Sequence, residues 1–311
     1  MTIGIAASGP RAGSAIRSAV LGAELLGRGA IGGFAVFAIL DDEGCFTHCE
    51  TQRGGIDALH LPPSFLQAQK AAIISSGPDR PEPLVQFLPG KSGVGLVTGH
   101  RLPNRTGNDG QPLNKSVLQK IESGEDPQVA VEQVLAANAQ ADVGLIALTA
   151  DGRTGWGNSA RVQSRCDRGA AQKYSSDCSF VLLHNAIYSS DLGKPMAQIL
   201  AEVAWAEMDQ GPVLWRFVSL ESEVPVKAGV KDRIYINDQD VITCIETADP
   251  HVPYLERRGT VVYLNAEVWQ QSGLVGHAVT ELYAEIGAGK AKPMEGLSAR
   301  TLLMRCQHVQ A

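Results

Sequence analysis

No stretch of the 311 residues reaches the ~20 consecutive apolar positions that a membrane helix needs. The N-terminus lacks a basic segment followed by an apolar one and a cleavage site, the pattern of a secretory signal. The expectation is a cytoplasmic protein with no membrane partner. An excess of basic residues is also missing: 27 Lys and Arg stand against 33 Asp and Glu, a net charge of −6. Nucleic acids and anionic surfaces require clustered cations, so no nucleic-acid partner is expected. Paired cysteines are absent as well. Cys45, Cys49, Cys166, Cys178, Cys244 and Cys306 are scattered without a CxxC, and reduced thiols are the rule in the cytoplasm. No HxxxH occurs, and His48 and Cys49 would point to opposite faces of a strand. Neither a metal nor a cofactor is expected. The nucleophile elbow GxSxG is lacking. The glycines of "GRGAIGGF" follow a helical pattern where a phosphate loop would follow a strand. Repeats and low-complexity segments do not occur.

What remains is ordinary globular composition, 44% hydrophobic and 19% charged, with ample chain for a large core. We read one domain over 1–311, with 213–311 as an extension of the same core. The pattern alternates between strand and helix periods. Ile3 to Ala7 is a strand-like run broken at Gly9-Pro10, and Ala12, Ile16, Ala19, Val20 and Ala23 then share a helical face. Two apolar runs flank Asp41 to Gly44 as a hairpin. Residues 53–92 show no regular element beyond a strand near Ala71 to Ile74.

Residues 93–98 form a buried strand and a loop runs from Gly99 to Pro112. Asn114 to Glu122 is a helix, and Asp126-Pro127 is an N-cap followed by a first-turn proline. Further strands are expected over "DCSFVLLHNAI" and near Val213 to Ser219, Arg233 to Ile236, Val241 to Glu246 and Thr260 to Leu264. One helix carries Leu192, Met196, Ile199, Leu200 and Val203 on one side. A last helix has Val275, Ala278, Val279, Leu282 and Ile286 in register. About ten strands joined by hairpins, with four or five helices between groups of them, predict an α+β fold of antiparallel sheets covered by helices.

"DVGLIALTADGRTGWGNSARV" (Asp142 to Val162) resembles the hairpin of N-terminal-nucleophile hydrolases of the isoaspartyl-peptidase/asparaginase type. It is also similar to a hairpin in an uncharacterised bacterial family of that fold whose chains begin Met-Thr. The resemblance covers roughly the first two-thirds of the chain. It implies a four-layer αββα sandwich and hydrolysis of a C–N bond. At the decisive position the chain departs from the asparaginase pattern: Asp142 stands where those enzymes place their nucleophilic threonine.

The opening "MTIGIA" supplies another candidate, because removal of Met1 would leave Thr2 with a free α-amine. An amine titrating near pH ~8 can serve as base to its own hydroxyl. Otherwise Thr2 is simply the first residue of an edge strand. His100 and Arg101, in "GLVTGHRLPN", follow a buried strand, where sites commonly form. His100 suits a base and Arg101 a carboxylate clamp. Asn104, Asn158, Ser159 and Arg53 end other runs and can add polar groups to the same cleft.

Three readings result. The first is an amidohydrolase with Thr2 as nucleophile, His100 and Asn158 assisting, and Arg53, Arg101, Asn104 and Ser159 holding a small acidic or peptide-like substrate. The second is a non-catalytic small-molecule-binding protein on the same scaffold. The third is an obligate homo-oligomer whose apolar helical faces are interface.

Overall fold

The computed structural model describes residues 1–28, 31–189, 195–209, 215–271 and 273–306. They divide into two compact units, Met1–Gly211 and Pro212–Ala311. The fold is mixed α+β, with four sheets among the described residues. No described helix is long and apolar enough to cross a membrane.

In the first unit, β1 (Thr2–Ser8) leads into α1 (Ala12–Leu26) and the short β2 (Gly27–Arg28). β3 (Ala35–Leu40) and β4 (Phe46–Thr51) form the expected hairpin. After α2 (Pro63–Gln67) come β5 (Lys70–Ser76), β6 (Gly90–Lys91) and β7 (Gly95–Arg101). α3 (Leu113–Glu122) and α4 (Pro127–Ala137) precede β8 (Val143–Thr149), β9 (Thr154–Asn158) and the single turn α5 (Ala160–Gln163). β10 (Arg168–Tyr174), β11 (Ser179–Asn185), β12 (Tyr188–Ser189) and α6 (Met196–Asp209) complete it. The strand expected over 93–98 runs on to Arg101, so His100 and Arg101 belong to β7 and not to the loop after it. Leu192 and Val213 lie outside the described residues.

A fully antiparallel six-stranded sheet has the order β10-β11-β1-β5-β3-β4. β6 to β9 form a four-stranded antiparallel sheet. α1 packs on β1 and β5, α6 packs on β10 and β11, and the two helices pack on each other. α3 and α4 cover β7, β8 and β9. The α4 start is fixed as its sequence implies: the Asp126 carboxylate accepts from the Gln128 and Val129 N–H groups, a cap worth about 1 kcal/mol.

β1, β5 and β11 meet β7 and β8, with Ala6, Ile74, Leu96, Ile146 and Leu183 in the core between them. Residues Thr2 to Ala7 are all buried, which explains a near-continuous apolar run in place of alternation. Small residues set the spacing. A Cβ on Gly4 would stand 2.2 Å from the Gly99 carbonyl oxygen, so β1 and β7 approach too closely for any side chain there.

The second unit is a ten-stranded sheet around an aliphatic core that includes Val218, Ile234, Ile245, Val268 and Leu302. In chain order its strands are β13 (Trp215–Leu220), β14 (Val224–Ala228), β15 (Arg233–Ile236), β16 (Ile242–Thr247), β17 (Arg257–Val262), β18 (Glu267–Gln270), β19 (Gly273–Ala278), β20 (Leu282–Gly287), β21 (Lys290–Lys292) and β22 (Arg300–Cys306). The helix expected over Val275 to Ile286 is not formed; the segment is β19, a bend and β20. Ala278 and Leu282 do face the core, but from two strands. Within β20 the buried residues are Leu282, Ala284 and Ile286, a period of two. The intervening bend resets the register, so core residues three and four apart imitate a helical stripe. The count of about ten strands is likewise too low: 22 strands lie among the described residues, including the seven-residue β10 and β22, which were not anticipated.

Candidate functional site

Alternation along each strand fixes which residues face the space between the two sheets of the first unit. On β1 the line through core residue Ala6 continues to Gly4 and Thr2. On β5 it runs from Ala72 and Ile74 to Ser76, and on β11 from Val181 and Leu183 to Asn185. In the facing sheet, Leu96 leads to His100 on β7, Ile146 to Gly144 on β8, and Trp156 to Asn158 on β9. Register then places these residues side by side. Thr2 lies directly opposite both Ser76 and Asn185, while Gly144 lies opposite both His100 and Asn158. Two polar cross-strand rows therefore end an otherwise apolar interior.

In the first row the Ser76 hydroxyl donates to the Met1 carbonyl oxygen at 2.5 Å and accepts from Arg80 Nη2 at 2.6 Å. A hydroxyl has one proton. The 3.2 Å contact between Thr2 Oγ1 and Ser76 Oγ is therefore made with the Thr2 proton, and no donor to the Thr2 lone pairs is found among the described residues. The Met1 α-amine is held below its ordinary value, chiefly by burial, then by Arg80 and Arg101, with Asp167 opposing.

In the second row His100 Nε2 lies 2.6 Å from Asn158 Oδ1. Gly144 makes this bond possible, because a Cβ there would sit 2.3 Å from both atoms. Burial pushes His100 down to about 4; Arg101 and His184 push the same way, and the amides of Asn158 and Asn185 oppose them. At neutral pH the ring is uncharged. Nε2 carries its proton toward Asn158, and the buried Nδ1, an acceptor, meets no donor in hydrogen-bond geometry among the described residues. The same holds for the buried Asn185 Oδ1. His184, lowered to about 4 by burial, stacks against Gly169.

Arg101 adjoins the rows, with a side chain only 6% exposed and a left-handed backbone, φ 65°. Its guanidinium reaches Asp167 at 2.7 Å and Asp142 at 3.2 Å. Asp167 is held below the usual carboxylate range, first by its hydrogen bond from Arg165 and also by Arg101. Asp142 thus serves here as an arginine partner.

Thr2, His100, Arg101 and Asn158 are brought to one end of the sheets. The other expected residues have separate partners. Arg53 pairs with Asp79 at the surface, Asn104 donates to Gln86, and Ser159 caps α5 and donates to the Ala141 carbonyl. Ser76, Arg80, Gly144 and Asn185 were not anticipated. Ser76 and Asn185 carry the signal that flagged His100, a polar residue closing a buried apolar run. Arg80 and Gly144 carry none. Among the described residues no group of three or more His, Cys, Asp or Glu side chains is placed to hold a metal ion.

Residues 2–215 match a family described as Domain of unknown function (DUF6963). The chain belongs to this family. Both polar rows lie inside the DUF6963 segment, which begins at Thr2. Residues 223–299 match a second family, Domain of unknown function (DUF7259). No curated protein matches the chain. Among solved structures, the chain is similar to a glutamine phosphoribosylpyrophosphate amidotransferase from B. subtilis complexed with ADP and GMP, at 9% identity and a TM-score of 0.34. That match covers 58% of this chain and 41% of the amidotransferase chain.

Proposed function

We propose that this member of DUF6963 is an amidohydrolase of the N-terminal-nucleophile type, acting on a C–N bond of a small acidic or peptide-like substrate. The observation that carries the reading is the Thr2 hydroxyl. It opens β1 and faces the space between the two sheets, 3.2 Å from the Ser76 hydroxyl. The layering agrees with an αββα sandwich: α1 and α6 outside one sheet, α3 and α4 outside the other. Removal of Met1 would put an amine on Thr2. The surroundings that hold the Met1 amine down, burial with Arg80 and Arg101, would favour its neutral, basic form. That amine takes the hydroxyl proton as Oγ1 attacks the substrate carbonyl and delivers it to the leaving amine. Water then hydrolyses the resulting ester. Removal of Met1 also frees the Ser76 hydroxyl from the carbonyl it serves, so Ser76, backed by Arg80, can donate to the developing oxyanion.

The second reading is a binding protein that keeps Met1. Asp142, which stands where the hydrolases this chain resembles place their nucleophilic threonine and is paired with Arg101, favours it. Intact-mass spectrometry of untagged protein, with a screen of N-acyl and side-chain amides, separates the two. Loss of one methionine with activity that disappears in Thr2→Ala supports the hydrolase. A full-length mass with no turnover supports the binding protein.

A further inference from the structure

The outer strand of the six-stranded sheet, β10, has nothing hydrogen-bonded to its far side among the described residues. Which of its main-chain groups are free follows from the ladder to β11. The Ala186 N–H donates to the Asp167 carbonyl at one end, and the Ser175 N–H donates to the Cys178 carbonyl at the other. Between these pairs the register is unbroken, from Arg168 opposite Asn185 to Tyr174 opposite Ser179. Bonded and non-bonded pairs alternate in an antiparallel ladder. Odd-numbered residues of β10 therefore turn their N–H and C=O toward β11, and Arg168, Ala170, Gln172 and Tyr174 turn theirs outward.

Exposed edges of this length are ordinarily blunted by a proline, a bulge or charged side chains. β10 has neither proline nor bulge, its two charges, Arg168 and Lys173, lie toward its ends, and its centre is Ala170-Ala171-Gln172. A cleft of about 360 Å3 runs along residues 170–173, with Gln198 and Ala201 of α6 on one wall and Trp156 on the other.

We propose that β10 is a homodimer interface in which two copies pair antiparallel about a twofold axis at Ala171. The parity of the ladder fits this register. It sets Arg168 opposite the second copy's Tyr174 and Ala170 opposite its Gln172, so every outward-turned residue meets another and about eight main-chain bonds form. Sizes are complementary and the basic residues of the two copies stay apart. Lys173 falls opposite Gly169, and Arg168 falls beside the ring of Tyr174, which is 53% exposed in the chain. The helices fit too. α6 lies over β10 and β11. With strands ~4.8 Å apart, α6 and its symmetry mate stand about 10 Å apart, a normal helix-packing separation.

The test is the mass of the full chain in solution by light scattering across a concentration series, together with substitutions on the axis. The expected mass is twice the 33.0 kDa of one chain. Ala170→Pro removes an outward N–H without touching the bonds to β11 and should leave monomer. Ala171→Lys and Ala171→Asp each put two like charges face to face and should each be monomeric, while an equimolar mixture should recover the dimer. That recovery separates a lost interface from a lost fold. A chain that stays at 33.0 kDa at every concentration overturns the proposal and leaves the edge to an extended segment of another protein. A dimer unaffected by these substitutions, or charge variants that fail to recover on mixing, overturns it as well.

Discussion

The hydroxyls of Thr2 and Ser76 lie 3.2 Å apart on neighbouring strands, and the Ser76 proton goes to the Met1 carbonyl. This pair couples the state of the N-terminus to the strand beside it. Ser76→Ala strands the Met1 carbonyl and one N–H of Arg80 in a part-buried setting. We expect a loss of about 1–3 kcal/mol in urea unfolding while Met1 is attached. If Met1 is removed in the cell, only the Arg80 N–H and the Thr2 hydroxyl lose a partner and the loss is smaller. Thr2→Ala leaves β1 intact and should change stability by less than about 1 kcal/mol, so an accompanying loss of amidase turnover reads on chemistry.

Arg101 is expected to act on stability. Its guanidinium is the charge partner of Asp142 and Asp167 in a nearly buried position. Arg101→Ala leaves both carboxylates without it, and the expected cost is about 3–5 kcal/mol. Arg101→Lys keeps the charge but loses the two-sided fork, and should recover only part of it. Equal unfolding midpoints for Arg101→Ala and the parent chain would refute this.

Acid should destabilise the first unit through two histidines. His100 and His184 titrate near 4 in the folded chain against an ordinary 6.5. Between those values the unfolded chain binds protons that the folded chain does not, so stability is complete above pH ~6.5 and falls as pH drops toward 4, by roughly 3 kcal/mol per ring. Replacing His184 with Gln should remove its share of the slope in a pH series of unfolding curves.

Glu24 should act in the opposite direction. Its carboxylate accepts from the Ile56 N–H and the Ser75 hydroxyl, and burial raises it from 4.5 to about 7. The folded chain keeps a proton that the unfolded chain releases, so this contribution is complete below pH ~4.5 and is lost as pH rises through 7, again roughly 3 kcal/mol. Glu24→Gln should therefore gain on the parent chain between pH 5 and pH 8. A constant difference across that range would contradict the assignment.

Gly144→Ala tests the second row. The added Cβ would enter the His100–Asn158 hydrogen bond, at a cost of about 1–3 kcal/mol for the clash. Gly4→Ala meets backbone instead, the Gly99 carbonyl, and should be worse because a strand must move. The order of the two unfolding midpoints checks this.

Local pattern alone determined much of the first unit. The apolar faces of α1, α3 and α4, the Asp126 cap and the turns at Asp41 to Gly44 and Ala150 to Gly152 all follow from interactions a few residues apart, which sequence displays directly. Polar residues closing buried runs marked His100, Arg101 and Asn158, and the Met-Thr opening marked Thr2. The tertiary structure decided the rest, because pairing register is not a local property. Which row Thr2 joins depends on β5 and β11, 74 and about 180 residues away, and only that register puts Ser76 beside it. The same holds for Arg101, whose role was set by Asp167 across 66 residues of chain. Over Val275 to Ile286 the sequence pattern was compatible with both a helix and two strands. The choice fell to the sheet, because β19 and β20 pair with β18, β22, β17 and β21, and a helix could not have satisfied those edges.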